Sequence, residues 1–187
     1  MTQTLFRNVR LLDLDRADGM SPACDLRIRD GRIAELGTDL APEPDEYLSE
    51  GAANLLMPGL INGHFHSAVN HMKGRLPSLP LEVFMLYECP ELDVLRPPPR
   101  EAYLRTMLGW IEMLRSGTAS VQDDCFFVPA PDPDIIDAVA KAYEDSGMRV
   151  RLALDQPELS ELEKLPFLRD ILPEDLKRDL SAPTGAP

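Results

Sequence analysis

The sequence contains few histidines, cysteines and aromatic residues, and these shortages limit the kinds of functional site that the chain can form. Its 187 residues include three cysteines, Cys24, Cys89 and Cys125, which lie far apart and form no CxxC zinc site. We interpret all three as reduced thiols in a cytoplasmic protein. The sequence also holds no Ser-His-Asp set and no glycine-rich phosphate loop, so neither kind of chemistry is indicated.

Positive charge and long apolar runs are also scarce. Lysine and arginine number 19 against 32 aspartates and glutamates, which gives a net charge of −13. This balance disfavours nucleic acid and anionic membranes as partners. No apolar run approaches the roughly 20 residues that cross a bilayer, and the N-terminal segment MTQTLFRNVR lacks the apolar core of a signal peptide. We therefore expect no nucleic-acid partner and no membrane partner.

Histidine, although rare, is concentrated in one place. Residues 57–67 read MPGLINGHFHS and hold His64 and His66, two of the three histidines in the chain. If Leu60 to His66 is an extended strand, both imidazoles point to one side and Phe65 points to the other, into packing. Two neutral imidazoles on one side can share a transition-metal ion. The alternative is an ordinary buried strand that ends in a polar turn.

The rest of the chain predicts a β module followed by alternating strands and helices. In the first 56 residues, Asp30-Gly31 lies between two apolar strand-like segments and suits a tight hairpin turn. After the histidines, the pattern predicts a helix over 100–116, a strand over 118–122, a helix opening at Asp132-Pro133 and a strand over 148–154. Strand, helix, strand, helix, strand is typical of a parallel α/β sheet.

Each predicted helix has an apolar stripe at helical spacing. For the helix over 100–116 the stripe consists of Leu104, Met107, Leu108, Ile111 and Leu114. For the next helix it consists of Ile135, Ile136, Val139, Ala142 and Tyr143. We expect both stripes to pack in the interior, and we interpret the methionines and Trp110 as packing residues.

Polar residues follow the apolar part of each predicted parallel strand. They are His64 and His66 on the first strand, Asp123 and Asp124 on the second, and Asp155 on the third. Parallel strands bring these ends to one face, where α/β proteins place their active sites. The sequence therefore predicts a functional site at this edge of the sheet.

The segment PGLINGHFHS, residues 58–67, closely resembles the first-strand metal motif of the amidohydrolase superfamily. It is most similar to the branch that holds guanine, cytosine and S-adenosylhomocysteine deaminases and the triazine chlorohydrolases. The resemblance continues through residues 79–85 and 112–127. It implies a TIM-type (β/α)8 barrel that is incomplete in this chain, with about three of its strands in residues 57–180. Residues 1–56 would form part of a composite β-sandwich, and residues 181–187 would be a disordered tail.

The resemblance also implies a chemistry. His64 and His66 would be ligands of one divalent metal ion, with zinc expected and iron as the alternative. Such an ion lowers the pKa of water to about 7, and the hydroxide attacks a ring carbon from which ammonia or halide leaves. The expected function is hydrolysis of a carbon-nitrogen (non-peptide) or carbon-halide bond in a small heterocyclic substrate, with deamination favoured.

In the family, the remaining metal ligands and the proton-transfer residues lie on later strands. No histidine follows His71 in this sequence, so no catalytic residue is identified and the isolated chain is not expected to be competent. We interpret the chain as the N-terminal portion of a longer enzyme, or as a homo-oligomer. The alternatives are a non-catalytic remnant or partner subunit that pairs with a homologous chain, and an unrelated doubly wound domain without metal.

Five further residues are weaker candidates. Lys73 faces the substrate or is simply solvated, and His71 lies at the pocket mouth or on a helix surface. Asp123 is expected to form structural hydrogen bonds, and Asp124 would be a third metal ligand only by departing from the family pattern. Cys125 is expected in the pocket wall or the core.

Overall fold

A computed structural model of the chain describes residues 3–76, 78–88, 95–126, 132–154 and 159–181. The chain divides into two compact units, Met1–Pro58 and Gly59–Pro187. The first unit contains the strands β1 Gln3–Leu11, β2 Cys24–Arg29, β3 Arg32–Gly37, β4 Tyr47–Glu50 and β5 Leu55–Leu56. That residues 1–56 belong to a composite β-sandwich stays a prediction.

The first unit is a mixed β-sheet in the order β3-β2-β1-β4, with β5 paired to β1. Strands β1, β2 and β3 are antiparallel, whereas β4 and β5 run parallel to β1. The predicted hairpin turn is confirmed, because Asp30 and Gly31 join β2 to β3 with φ angles of 51° and 72°. Two positive φ angles in succession are the conformation for which Asp-Gly is suited.

The buried Arg27 anchors the polar side of this sheet. Its Nε donates to Glu46 Oε1 at 2.8 Å, and Glu46 has no exposed side-chain surface. The hydrogen bond from Arg27 holds the pKa of Glu46 below its ordinary value. A second buried carboxylate, Asp25, accepts from the backbone N–H groups of Asn8 and Leu40 at 2.8 and 2.9 Å. The ion pair of Arg27 with Glu46 and the two hydrogen bonds to Asp25 thus give the buried charges of the β module their partners.

The second unit is a parallel sheet with helices between its strands, as predicted. Its strands are β6 Leu60–Phe65, β7 Thr118–Cys125 and β8 Arg149–Leu154, in the order β6-β7-β8. Its helices are α1 Leu81–Glu88, α2 Pro99–Arg115, α3 Pro133–Ser146, α4 Glu161–Lys164, α5 Leu168–Ile171 and α6 Glu174–Asp179, with a 3-10 helix over Ser67–Met72. Over the described residues these strands form an open sheet and close no barrel.

Helix α3 forms where the sequence predicts it. The side chain of Asp132 caps the helix by accepting from the backbone N–H of Asp134 at 2.9 Å, and Pro133 follows in the first turn. Gly147 ends the helix with a φ of 69°. The predicted stripe is buried, with Ile136 only partly so, and it forms the core together with Val121 of β7 and Met113 of α2.

Helix α2 also forms as predicted, but the expected packing face is wrong. Its stripe residues Leu104, Leu108, Ile111 and Leu114 are between 43% and 55% exposed. The buried residues are Ala102, Thr106, Gly109 and Met113. A Cβ atom on Gly109 would lie 2.3 Å from Cζ of Phe65. The buried face of the helix therefore consists of three small residues, which permit close approach, and Met113, while its leucines face outward.

Strand β7 is longer than predicted. It continues past Gln122 because it pairs in parallel with β8 as far as Cys125 and Leu154. Asp123 and Asp124 consequently lie inside the strand, near its carboxyl end, and do not follow it. Asp155, predicted to join them, and Cys89 lie outside the described residues, as does almost all of the predicted tail. No helix in the described ranges is long and apolar enough to cross a membrane.

Candidate metal centre

His64 and His66 lie at the carboxyl end of β6 and face the same side. His66 directly follows the strand and is still extended, with φ −128° and ψ 99°. The Nε2 atoms of the two rings are 2.9 Å apart, and the rings meet edge to face with centroids 4.8 Å apart. The strand alternation inferred from the sequence therefore brings both imidazoles to one point.

An irregularity in strand pairing contributes to this arrangement. Between Asn62 and Phe65 the register of β6 shifts by one residue against Val121 and Asp123 of β7. The backbone N–H of His64, inside the shifted segment, donates to Oδ1 of Asn62 at 3.2 Å. Bulges of this kind bend a strand and re-aim its side chains, and they are frequent beside active sites.

Phe65, the residue between the two histidines, packs in the interior. It points away from the two imidazoles and packs against the core of the second unit. On that side it contacts α2 at Gly109, where a Cβ would overlap its ring. The orientation of the two histidines is thus tied to the packing of the residue between them.

The ring of His66 is held by a hydrogen bond on its second nitrogen. Nδ1 lies 3.0 Å from the backbone carbonyl oxygen of Asp124. A carbonyl oxygen only accepts, so Nδ1 carries the proton and the lone pair of the neutral ring is on Nε2. This is the arrangement in which histidine ligates a metal, with the outer hydrogen bond fixing the tautomer. The ring of Phe126 packs edge to face against His66, with centroids 5.2 Å apart.

The residues present fit part of a metal site. Two nitrogens at about 2.05 Å from a tetrahedral zinc lie about 3.3 Å apart, close to the observed 2.9 Å. A catalytic zinc takes three protein ligands. Among the residues that the structure describes, no group of three histidines, cysteines or acidic residues could hold an ion. Asp124 belongs to no such group, and its Oδ2 lies 3.9 Å from Nδ1 of His66, the nitrogen that is hydrogen bonded.

A cavity of about 360 Å³ opens beside His64. It is lined by residues near the carboxyl ends of all three parallel strands, namely Gly63, His64, Gln122, Asp124 and Ala153. Its volume is in the range of small-molecule sites. In parallel α/β sheets this end is where ligands bind, so the histidines and the cavity together mark the candidate site.

The other sequence candidates lie elsewhere or have structural contacts. His71 is in the 3-10 helix after the motif, where burial lowers its pKa. Lys73 remains half exposed and forms an ion pair with Glu112 of α2, as a solvated lysine would. Cys125 is buried in the core, and burial raises the pKa of its thiol to about 12. The thiol is therefore neutral, and Cys125 is a core residue.

Asp123 has the structural hydrogen bonds that we expected of it. It is fully buried, and it accepts from the backbone N–H of Ser67 at 2.9 Å and from the hydroxyl of Tyr143 at 2.8 Å. Burial raises the pKa of this carboxyl although the two donors act in the opposite direction. Sequence reasoning identified Asp123 but missed its partner, because Tyr143 appeared only as one member of the apolar stripe of α3.

Asn70 is a second buried residue that sequence reasoning missed. Its Nδ2 donates to the carbonyl oxygens of Ser67 at 3.1 Å and Arg105 at 3.2 Å. Arg105 in turn donates to the carbonyl of Ala68 at 3.0 Å. These bonds tie the segment after His66 to α2. The only sign of these hydrogen bonds in the sequence was an asparagine four residues after His66.

Comparison with known proteins defines the class of this protein. Residues 55–179 match the sequence profile described as the Amidohydrolase family. This match spans more than half of the chain, and the chain therefore belongs to the amidohydrolase family. Its membership agrees with the resemblance seen in the histidine motif.

The chain is similar to particular deaminases and to a chlorohydrolase. A 5-methylthioadenosine/S-adenosylhomocysteine deaminase of Syntrophomonas wolfei subsp. wolfei is 33% identical over 150 residues, which is 80% of this chain and 33% of the relative. A 5'-deoxyadenosine deaminase of Methanothermobacter thermautotrophicus is 32% identical, over 74% of this chain and 30% of the relative. The chain spans about a third of the length of these curated relatives.

Among solved structures, an atrazine chlorohydrolase from Arthrobacter aurescens TC1 complexed with zinc has a TM-score of 0.72. The match covers 86% of this chain and 37% of that chain at 24% identity. At this identity the likeness shows the fold alone. The structure of the present chain thus corresponds to the N-terminal part of amidohydrolase structures.

Proposed function

We propose that this chain supplies part of a metal-dependent hydrolase that acts on carbon-nitrogen (non-peptide) or carbon-halide bonds, with deamination of an N-heterocycle as the favoured reaction. The observation that carries the proposal is the convergence of Nε2 of His64 and His66 at 2.9 Å, with Nδ1 of His66 bonded to the Asp124 carbonyl. In this geometry Nε2 of His66 accepts from Nε2 of His64, and a divalent ion, zinc or iron, would bind both nitrogens in place of the shared proton.

The chain's own residues would orient the ion and receive the substrate. His66 is fixed by its outer hydrogen bond, whereas His64 is exposed beside the cavity. When bound, the ion would supply a water of lowered pKa as the nucleophile at neutral pH. In a deamination, such a nucleophile would replace the amino group on the ring carbon, and the amino group would leave as ammonia. The names of the relatives, which are deaminases of adenine nucleosides, support an amino-substituted heterocycle as the substrate.

The proposal requires further residues. A catalytic zinc takes three protein ligands, whereas we propose two, His64 and His66, and the chain spans about a third of the length of its curated relatives. We propose that the third ligand and the proton-transfer groups come from outside the described residues, either from a longer polypeptide or from another chain. Zinc binding by the two histidines alone is therefore expected to be weak.

Zinc titration of the chain tests the proposal. The double variant His64→Ala/His66→Ala should lose measurable zinc binding in isothermal titration calorimetry. His71→Gln removes the third histidine, which lies in the 3-10 helix, and should bind zinc as the unmodified chain does. If the double variant binds zinc with unchanged affinity, the histidine pair is not the metal site and the proposal is wrong.

An alternative is a non-catalytic subunit that pairs with a homologous chain. It is favoured by the exposed leucine stripe of α2 and by β6, which lies at an edge of the described sheet. Exposed strand edges are prone to pair with other chains. Sedimentation of the chain mixed with a full-length homologue should then reveal a complex. A chain that sediments as a monomer alone and in the mixture would contradict this alternative.

A further inference from the structure

A buried carboxylate lies directly behind the histidine pair. Asp123 of β7 pairs in register with Phe65, the residue between the two histidines. Both of its oxygens are engaged, since Oδ1 accepts from the backbone N–H of Ser67 and Oδ2 accepts from the hydroxyl of Tyr143. Asp123 has no exposed surface, so its position is set by these two donors and by the strand.

Two consecutive residues of β7 hold His66 at two points. Asp123 binds the backbone N–H of Ser67, the residue immediately after His66. Asp124 accepts the Nδ1 proton of the His66 ring at its backbone carbonyl. Fixing the chain just after a residue and fixing its ring leaves that ring little freedom to turn. Any shift of this segment of β7 would therefore change the direction of Nε2 of His66.

Tyr143 determines where this segment of β7 lies. It is 2% exposed, and it packs in the core with Val121, Ile135 and Val139. A tyrosine ring enclosed in this way has one position for its hydroxyl, because interiors are closely packed. The hydroxyl donates to Asp123 Oδ2 at 2.8 Å. Helix α3 is thereby connected to the end of β6 through one carboxylate.

We propose that Asp123 and Tyr143 are positioning residues for the metal ligand His66. They contact neither the ion nor the substrate, and they act by fixing Ser67 N–H and the Asp124 carbonyl around His66. The inference rests on the proposed function in one respect, namely that His66 is a zinc ligand. Its effect on the ring of His66 is expected with or without zinc.

The main test is Tyr143→Phe, which removes the hydroxyl and keeps the ring. Loss of an outer-shell partner typically lowers metal affinity 10- to 100-fold, so we expect zinc to bind about tenfold more weakly. In the metal-free chain, the ring nitrogen resonances of His66 in ¹⁵N NMR should change from a single Nδ1–H tautomer to a mixture of both. A general defect in folding would not change the tautomer of His66 specifically.

The matched control is Tyr103→Phe. The hydroxyl of Tyr103 on α2 donates to Oδ2 of Asp145 on α3 at 3.1 Å. This change also removes a tyrosine-aspartate bond in the second unit, but at an exposed position away from the histidines. It should leave both the zinc affinity and the His66 tautomer unchanged. Equal effects of the two variants would overturn the proposal.

Two substitutions at Asp123 distinguish the effect of its hydrogen bonds from the effect of its negative charge. Asp123→Asn keeps one oxygen to accept from Ser67 and offers an N–H to the oxygen of Tyr143, so zinc affinity and tautomer should be retained. Asp123→Val has a similar volume and no acceptor, and it should show the defect of Tyr143→Phe or a larger one. If Asp123→Val does not fold, the comparison of Asp123→Asn with Tyr143→Phe decides.

The outcomes distinguish this inference from the proposed function. If Tyr143→Phe binds zinc normally and keeps the single tautomer, while His64→Ala/His66→Ala abolishes binding, the positioning role is wrong and the metal site stands. If the unmodified chain binds no zinc, but Tyr143→Phe still mixes the tautomers of His66, the positioning role stands and the metal proposal fails.

Discussion

Helices α2 and α3 carry the same kind of sequence pattern and pack against each other, yet they bury opposite kinds of side chain. Helix α3 buries its large apolar stripe, including Ile135, Val139 and Tyr143. Helix α2 exposes its leucines and buries three small residues, Ala102, Thr106 and Gly109, together with Met113. A helical period shows that an apolar stripe exists, but it does not show what covers that stripe. In α2 the small residues decide the packing, because they allow the helix to approach Phe65 and Asn70 closely.

The largest expected effect is in the buried stripe of α3. Ile135 is 1% exposed, and Ile135→Ala should lower the free energy of unfolding by about 3 kcal/mol, through lost burial and a cavity. Urea denaturation followed by circular dichroism measures this loss. Ile136→Ala, one residue along and only partly buried, serves as the control. Equal losses at the two positions would contradict the difference in burial between Ile135 and Ile136.

The next effect is at the close contact of α2. Gly109→Ala would bring a Cβ to 2.3 Å from Phe65 Cζ and 2.5 Å from Asn70 Nδ2. Such overpacking should cost about 2 kcal/mol in the same denaturation experiment. Alanine ordinarily stabilises a helix relative to glycine, so a stabilised Gly109→Ala would contradict the packing described for α2. Glu112→Ala, at an exposed position of the helix, provides the control.

A smaller effect is expected on the exposed stripe of α2. Leu108 is 53% exposed, and Leu108→Ala should change the free energy of unfolding by no more than about 0.5 kcal/mol. A loss as large as that of Ile135→Ala would mean that the stripe is covered in solution. Repeating the measurement at several protein concentrations then separates self-association from contacts within one chain.

The smallest effect concerns the pKa of Asp145 on α3, which has one polar partner on its own helix and one on α2. Asp145 accepts from Lys141 Nζ at 2.6 Å and from Tyr103, and the bond from Lys141 contributes most to lowering its pKa below 3.8. A carboxyl whose pKa is lowered by folding stabilises the fold above its unfolded pKa. That contribution disappears as the pH falls through the lowered value. In a ¹³C NMR titration, Lys141→Met should raise the pKa of Asp145 towards 3.8, and Tyr103→Phe should raise it less. An unchanged pKa in both variants would exclude these contacts in solution.

Local features of the fold could be predicted because local rules govern them. The turn at Asp30-Gly31 and the cap at Asp132 each depend on a few neighbouring residues. That His64 and His66 face the same side follows from strand alternation. The buried face of α2 could not be predicted in this way, because it depends on the size of residues that are far apart in the sequence, such as Phe65 and Gly109, which meet in the fold.

For the candidate site, too, the sequence predicts the local features and not the contacts between distant residues. His64 and His66 could be identified from their spacing, and their metal-binding role stays a prediction. The bond between Asp123 and Tyr143 could not be found, because a tyrosine in an apolar stripe gives no sign that its hydroxyl reaches a carboxylate on a strand. The end of β7 was misplaced for a related reason. Polar residues suggest that a strand has ended, whereas pairing with β8 carries β7 on to Cys125.

Because His64, Phe65 and His66 alternate along the strand, a slip of β6 by one residue would remove both candidate ligands from the site together. If β6 moved by one residue against β7, Phe65 would turn towards the cavity and both imidazoles would turn towards the core. No intermediate register keeps one ligand in place and loses the other. The fit of Phe65 against Gly109 therefore favours the register in which both imidazoles face the cavity, since a chain that pairs β6 one residue out of register does not place Phe65 beneath α2.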